Sequence, residues 1–332
     1  MEQISGCRLC PRECGADRAA GERGFCGVFG EYIYVARAGL HMWEEPCISG
    51  NKGSGTVFFC GCPLGCVYCQ NYQISGPAVK RTGVLKTCSG PDTPGSAEPD
   101  TSESAGLAAL KPGKAISTER LAEVFLNLQE KGAANINLVT PTHYTPQIIE
   151  ATGKARSAGL RIPLVYNCGG YEKPETLKTL EGIVDIYLTD FKYMEADIAQ
   201  KYSRAKDYPE KARAALKEMV RQQPKPVFDG EEMMKKGVIV RHLLLPNHVK
   251  NAKAVVRYLY ETYGNQIYVS LMNQYTPLPQ AEKYPELNRK VTKREYERLL
   301  DYAISLGMEN VFIQEGETAK ESFIPAFDGS GV

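Results

Sequence analysis

From residue 117 onward the apolar positions alternate between a helical period and short continuous runs, with polar, Gly- or Pro-containing connections between them. Ser117 can cap a helix reaching about Gly132, with Leu121, Val124, Phe125 and Leu128 on one face. Residues 135–139 (N-I-N-L-V) then read as a buried strand. Thr145 and Pro146 suit N-cap and N1 of a helix ending near Gly159. The alternation continues through a strand at 163–166, a short helix at 174–180, a strand at 183–189 and helical stretches to about Gln222. A strand at 238–245, a helix at 251–263 and a strand at 266–271 follow. Thr292 and Glu295 form a capping box that opens a helix burying Tyr296, Leu299, Leu300, Ala303 and Ile304 and stopping at Gly307. Residues 310–314 read as a last short strand, 56–59 as the first of the series, and 28–38 as a hairpin or single strand.

Near-continuous apolar strands alternating with amphipathic helices predict an α/β fold of parallel strands with helices outside. The count is six strands, or seven with 310–314. A closed barrel needs eight. The expectation is therefore a partial (β/α)6 TIM-like barrel, with a doubly wound sheet as the alternative. The chain divides into a cysteine-rich segment and lead-in at 1–50 and the barrel at 51–332. Residues 82–117, rich in Pro, Gly, Ser, Thr and Asp and containing Cys88, read as a long low-complexity insertion.

Charge narrows the partners. Lys and Arg nearly balance Asp and Glu, for a net charge of +1, so nothing favours a nucleic-acid or membrane surface. No apolar run has the length of a membrane span and the start lacks an apolar signal core, which predicts a cytoplasmic protein. Of eleven cysteines, nine precede residue 70, a distribution that points to metal chemistry in a reducing compartment.

The densest cysteine group follows the first strand. In G-C-P-L-G-C-V-Y-C-Q-N, Cys62, Cys66 and Cys69 form a C-x3-C-x2-C triplet. Three thiolates can hold three corners of an iron–sulfur cube and leave one iron open to a small chelating molecule. Cys60 precedes the triplet and is not counted as a ligand. Upstream, C-R-L-C-P-R-E-C and G-F-C-G supply Cys7, Cys10, Cys14 and Cys26 in a segment too polar to pack a core of its own. A bound metal would provide its folding free energy. Four thiolates suit structural zinc or a second iron–sulfur cluster. His41 and Cys47 are expected to be structural. The glycine-rich I-S-G-N-K-G-S-G lacks Walker spacing.

Polar residues gather at the ends of the predicted strands: Thr140, Thr142 and His143; Asn167 and Cys168; Asp190 and Lys192; Asn273, Gln274 and Tyr275; the fifth strand itself carries Arg241 and His242. In such barrels this rim carries cofactor and substrate groups. Asp190, Lys192 and Arg241 offer the charges that an amino-acid-like cofactor needs.

The triplet, together with E-E-P-C-I-S-G, N-I-N-L-V-T-P-T-H-Y, D-I-Y-L-T-D-F-K-Y, V-R-H-L-L-L-P and Y-V-S-L-M-N-Q-Y, resembles the radical S-adenosylmethionine (SAM) proteins. Within them the chain is similar to the branch of pyruvate formate-lyase activating enzyme. The resemblance spans nearly the whole chain outside the insertion. It implies a [4Fe–4S] cluster on Cys62, Cys66 and Cys69, with Tyr68 beside the adenine of SAM. Asn71, Thr140, Thr142, Asn167, Asp190, Lys192 and Arg241 are implied as cofactor contacts. Where activating enzymes carry a Gly-Gly-Glu motif for the SAM amino group, this chain has V-T-P-T-H. Thr140 and Thr142 are expected in its place. The implied chemistry is reductive cleavage of SAM to a 5′-deoxyadenosyl radical that abstracts a hydrogen atom, with an electron donor such as a flavodoxin or ferredoxin. The substrate is a glycyl radical enzyme to be activated, or a small molecule or peptide to be remodelled. A non-catalytic iron–sulfur scaffold or redox sensor is the reading from another class. The oxygen lability of an open cluster predicts an anaerobic host.

Overall fold

The computed structural model of the chain describes residues 6–75, 113–314 and 325–332. The expected insertion at 82–117, with Cys88, lies outside them apart from 113–117, which are ordered into a strand and a helix cap. The elements run β1 (Ile33–His41), α1 (Pro46–Ser49), β2 (Ser54–Phe59), β3 (Lys114–Ile116), α2 (Thr118–Glu130), β4 (Ile136–Val139) and α3 (Thr145–Ser157). They continue with β5 (Leu164–Cys168), α4 (Pro174–Lys178), β6 (Ile186–Asp190), α5 (Ala196–Ser203), α6 (Tyr208–Gln222), β7 (Val227–Phe228) and β8 (Met234–Leu243). Last come α7 (Val249–Tyr263), β9 (Tyr268–Met272), α8 (Lys293–Leu306) and β10 (Val311–Ile313).

The sheet order is β10-β9-β8-β6-β5-β4-β2-β1-β3, with β7 antiparallel on β8. Every pair from β2 to β10 along this path is parallel, and β1 is antiparallel to both β2 and β3. The parallel strands follow chain order without reversal, so each right-handed crossover puts its helix on the same face. A doubly wound sheet would reverse at a switch point. The fold is a partial barrel of six strands (β2, β4, β5, β6, β8, β9), with short β10 added at one edge and the β1–β3 ribbon at the other.

Period-2 alternation divides the strand side chains between two cores. Val165, Ile186, Leu188 and Ile239 pack on the concave side with Cys47 and Ile48 of α1. Leu164, Tyr166, Tyr187, Val238 and Val240 join the larger core that includes the helices. Helix α1 therefore sits against the inner face. The same alternation, continued towards the strand ends, turns Asn167, Asp190 and Arg241 inward.

Local chemistry matches the sequence in places and departs from it in others. Ser117 caps α2 by accepting from Arg120 N at 3.2 Å, and Thr292 and Glu295 complete the capping box of α8. Ile304 is 73% exposed rather than buried, because the buried face of α8 runs through Tyr296, Leu299 and Ala303. Thr145 does not cap α3. A single 3-10 turn, Thr142–Tyr144, precedes it, and the Thr145 hydroxyl donates to Thr142 O at 2.9 Å. Among the described residues no helix is long and apolar enough to cross a membrane.

Candidate cofactor site

The cysteine loop is held from several directions. Gly61 has φ +92°, and a Cβ there would lie 2.6 Å from Val28 Cγ2, 2.9 Å from His143 Nε2 and 3.0 Å from Cys26 O, so only glycine fits. Gly65 N and Val67 N donate to Ser203 O and Tyr202 O, at 3.2 and 2.8 Å, at the end of α5. Arg12, from the cysteine-rich segment, donates through Nε to Pro63 O at 2.8 Å and through Nη1 to Arg204 O at 2.6 Å. The loop is thus fixed by α5 and the N-terminal segment together.

Cys62, Cys66 and Cys69 are half-buried in the wall of one cavity of about 240 Å³. Burial pushes all three thiols up, Cys69 to about 11, and for Cys62 the neighbouring thiolates add to it. Bound iron reverses that preference, because a coordinated thiol is deprotonated. Leu64 N donates to Cys62 Sγ at 3.4 Å, and Ser203 Oγ lies 2.9 Å from Cys66 Sγ. Among the described residues no three His, Cys, Asp or Glu side chains gather tightly enough for a single metal ion. The three cysteines line one cavity, and three thiolates can hold three irons of a cube.

The charged rim lines the same cavity. Arg241 donates through Nε to Asp190 Oδ1 at 3.1 Å, through Nη2 to Asn167 Oδ1 at 2.6 Å and through Nη1 to Glu44 Oε2 at 3.2 Å. Lys192 Nζ reaches Asp190 Oδ2 at 2.5 Å. Asn137 Nδ2 holds Glu44 Oε1 at 3.0 Å. Burial opposes the Asp190 charge, but Lys192 and Arg241 outweigh it and hold the carboxyl below its ordinary range. Glu44 is pushed up by burial, with Arg241 and Asn137 opposing. Burial likewise works against Lys192 and Arg241, and their anionic neighbours keep both firmly protonated.

Most of the expected residues line this cavity: Tyr68, Asn71, Thr140, Asn167, Asp190, Lys192 and Arg241, beside the three cysteines. Thr140 sits at the end of β4 with φ +60°, a strained conformation for a β-branched residue. Thr142 is a correction. The 3-10 turn carries it inward, where it is 1% exposed and its hydroxyl donates to Glu172 Oε1 at 2.8 Å, away from the cavity. His143 and His242 also turn inward, bonding Cys60 O and Phe191 O at 2.7 Å each, and burial holds them neutral with pKa values of about 3 and 4. Cys47 is buried in the concave core, while His41 lines the cavity. Glu44 and Trp43, which the sequence did not single out, line it too. The signal was present in E-E-P-C: two adjacent carboxylates at a helix start, inside a barrel, need a cation or a ligand.

Comparison with known proteins decides the family. The radical SAM superfamily profile matches residues 56–236. The chain belongs to the radical SAM superfamily. Its cofactors are accordingly a [4Fe–4S] cluster and SAM, its chemistry is SAM cleavage at that cluster, and it needs an electron donor. This radical SAM protein is 27% identical over 310 residues to the uncharacterized protein MJ0674 of Methanocaldococcus jannaschii, covering 93% of this chain and 77% of the relative. It is also similar to Streptococcus suis SuiB bound to precursor peptide SuiA, with TM-score 0.45 and 10% identity over 76% of this chain and 46% of the other. A second solved structure is the FeFe-hydrogenase maturase HydG from Carboxydothermus hydrogenoformans, with TM-score 0.42 and 13% identity over 79% of this chain and 54% of the other. The chain spans about half the length of these two solved proteins.

Proposed function

We propose that the cavity between the cysteine loop and the Asp190–Arg241 rim holds the cluster and SAM, and that the hydrogen atom is taken from a polypeptide. One observation carries this: three thiols, two cations and two carboxylates from five separate elements and loops face the same space. The thiolates of Cys62, Cys66 and Cys69 would hold three irons. Bound there, the cluster and SAM supply a 5′-deoxyadenosyl radical. The side chains do the positioning. Lys192 and Arg241 would offer cations to the SAM carboxylate, Asp190 and Glu44 would accept from its ammonium, and Asn71, Thr140 and Asn167 would bond its remaining polar groups. Tyr68 offers an aromatic edge to the adenine. Glu44 takes the place of the carboxylate that the V-T-P-T-H stretch lacks.

The polypeptide reading rests on the mouth. Leu40, Met42 and Trp43 are 43%, 44% and 64% exposed on one stretch, and Trp43 also lines the cavity. Aromatic and Met side chains exposed together suit a macromolecular contact. A glycine of a glycyl radical enzyme is one substrate of this class, and a residue of a smaller peptide is another.

Anaerobic reconstitution followed by a 5′-deoxyadenosine assay tests the site. Cys62→Ala, Cys66→Ala and Cys69→Ala should each abolish product, and retained cleavage in any of them removes that ligand. For the substrate, deuterated polypeptide candidates should pass deuterium into 5′-deoxyadenosine. A glycyl radical signal in the partner identifies an activating enzyme. Deuterium transfer from a small molecule alone overturns the polypeptide reading.

A further inference from the structure

Residues 325–332 return to the sheet and pack beside the cofactor cavity. On β1, Ile33, Tyr34 and Val35 pair with β3. Beyond that pairing, Gly329 N donates to Ala36 O at 2.8 Å, and Ala38 N donates to Ser330 O at 3.0 Å. Arg37 Nη1 donates to Ala326 O at 3.0 Å and lies 3.7 Å from Asp328 Oδ1. Lys114 Nζ, on β3, donates to Val332 O at 3.1 Å. Gly331 has φ +77°, and a Cβ there would lie 2.0 Å from Ala38 O, so only glycine lets the segment seat on β1. These bonds are mostly to main chain, which leaves the side chains of Pro325 and Phe327 for the cavity wall.

Those two side chains complete an aromatic corner. Pro325 lines the cavity, as do His41, Trp43 and Phe58. Phe327 packs on Phe58 with ring centroids 5.4 Å apart at 69°, and His41 meets Phe58 edge-on at 6.2 Å and 90°. Phe58 is anchored in a small core with Ala36, Ile74 and Val139, and Phe327 packs against the same core. Burial lowers the His41 pKa and Arg37 adds to the effect, so this ring is neutral at pH 7. The cysteines and the charged rim carry the groups assigned to the cluster and SAM. His41, Trp43, Phe58, Pro325 and Phe327 have no part in that assignment. Ring faces favour the burial of an apolar side chain and give a charged one no counter-ion.

We propose that this corner is a substrate subsite for a large apolar side chain next to the residue that loses its hydrogen atom, with Pro325 and Phe327 as specificity-determining residues. The inference rests on the polypeptide reading above and names the kind of residue such a polypeptide presents. Leu40 and Met42, on the same stretch as His41 and Trp43, extend apolar surface outward from the corner. The segment that supplies Pro325 and Phe327 is itself lightly held: Ala326, Asp328, Ser330 and Gly331 are exposed. A single substitution at Gly331 can therefore remove its wall and leave the barrel core untouched.

The test uses the full chain loaded with cluster and SAM, and two blocked tripeptides that differ only in carrying phenylalanine or serine before a central glycine. Trp43 is the one tryptophan in the sequence, so its fluorescence reports on the corner. The phenylalanine peptide should bind about tenfold more tightly than the serine peptide, as expected for burying one apolar side chain. Gly331→Val should undock the segment, seen as faster hydrogen exchange at the Ala38 amide, and bring the two affinities together. Phe327→Ala should narrow the gap as well, and it decides the matter where the segment stays docked. Equal binding of the two peptides by the unaltered chain, or no response to either, overturns the subsite. A preference that survives in both variants removes residues 325–332 from it. Deuterium transfer into 5′-deoxyadenosine is read separately: its absence from every polypeptide overturns the polypeptide reading, whereas equal peptide affinities overturn the subsite alone.

Discussion

The Ser203 hydroxyl lies 2.9 Å from the Cys66 sulfur, and the same oxygen is 2.7 Å from the Tyr193 hydroxyl, which bonds Tyr68 in turn. Ser203 ends α5 and is fully buried. A hydrogen bond to a ligating sulfur withdraws electron density and raises the potential of the cluster. Ser203→Ala should therefore lower the midpoint potential and slow SAM cleavage by a weak reductant, while SAM affinity stays near that of the unaltered protein. Stability should fall by about 1–2 kcal/mol, because a Tyr193 hydroxyl partner is lost. A redox titration followed by electron paramagnetic resonance reads the shift, and a potential equal to the unaltered protein's refutes the tuning.

Glu44 holds its place through Arg241 at 3.2 Å and Asn137 at 3.0 Å. Glu44→Gln keeps the shape and removes the charge. Arg241 retains its bond to Asp190, so the fold should persist. An ionic contact to the SAM ammonium is worth about 1.5–3 kcal/mol, which corresponds to a rise of about 10- to 100-fold in the SAM dissociation constant. Calorimetry on the cluster-loaded protein measures it. Equal affinity in the variant takes Glu44 out of the cofactor site.

The sequence exposed the residues whose role depends on strand position. Asn167, Asp190 and Arg241 end apolar runs, and period-2 alternation carries all three to the concave face. It hid those whose role depends on long-range packing. Glu44 precedes a four-residue helix with no periodicity, and its partner Arg241 lies 197 residues on. Thr142 looked like a rim residue until a single 3-10 turn rotated it onto Glu172. Arg12 and Arg18 sit in a polar segment with no periodicity to place them, yet one clamps the cysteine loop and the other is buried. Strands β3 and β7, with three and two residues, carry too few positions for alternation to show.

Glu172 makes stability pH-dependent. It is 1% exposed, and burial raises its pKa from 4.5 to about 8 despite bonds from Thr142 and Tyr166. Between these values the folded chain holds a proton that the unfolded chain has released. Stability from this group is full below pH 4.5 and falls as pH rises to about 8. The loss is at most about 4–5 kcal/mol. Glu172→Gln keeps the shape and an acceptor but cannot ionise. Melting temperatures measured from pH 5 to 8.5 should fall more steeply for the unaltered protein than for the variant. Parallel pH profiles would mean that Glu172 does not ionise in this range.

Arg12 binds the cysteine-rich segment to the cluster loop. Besides Pro63 O and Arg204 O, its Nη2 reaches Ser203 O at 3.5 Å, and its guanidinium carbon lies 3.9 Å from the Phe25 ring centroid and 5.1 Å from that of Tyr171. The triplet needs no ligand from upstream, so Arg12→Ala should still load a cluster on Cys62, Cys66 and Cys69. Its retention should suffer. Pro63 lies beside Cys62, and Ser203 bonds Cys66, so the lost clamp frees both ends of the loop. About 1–3 kcal/mol of hydrogen bonding and cation–π contact disappears, and iron release to a chelator should speed up by about tenfold. Arg12→Lys should restore little, since one ammonium cannot donate in the directions of a planar guanidinium. If the melting temperature falls while iron release keeps its rate, Arg12 supports the fold and not the cluster loop.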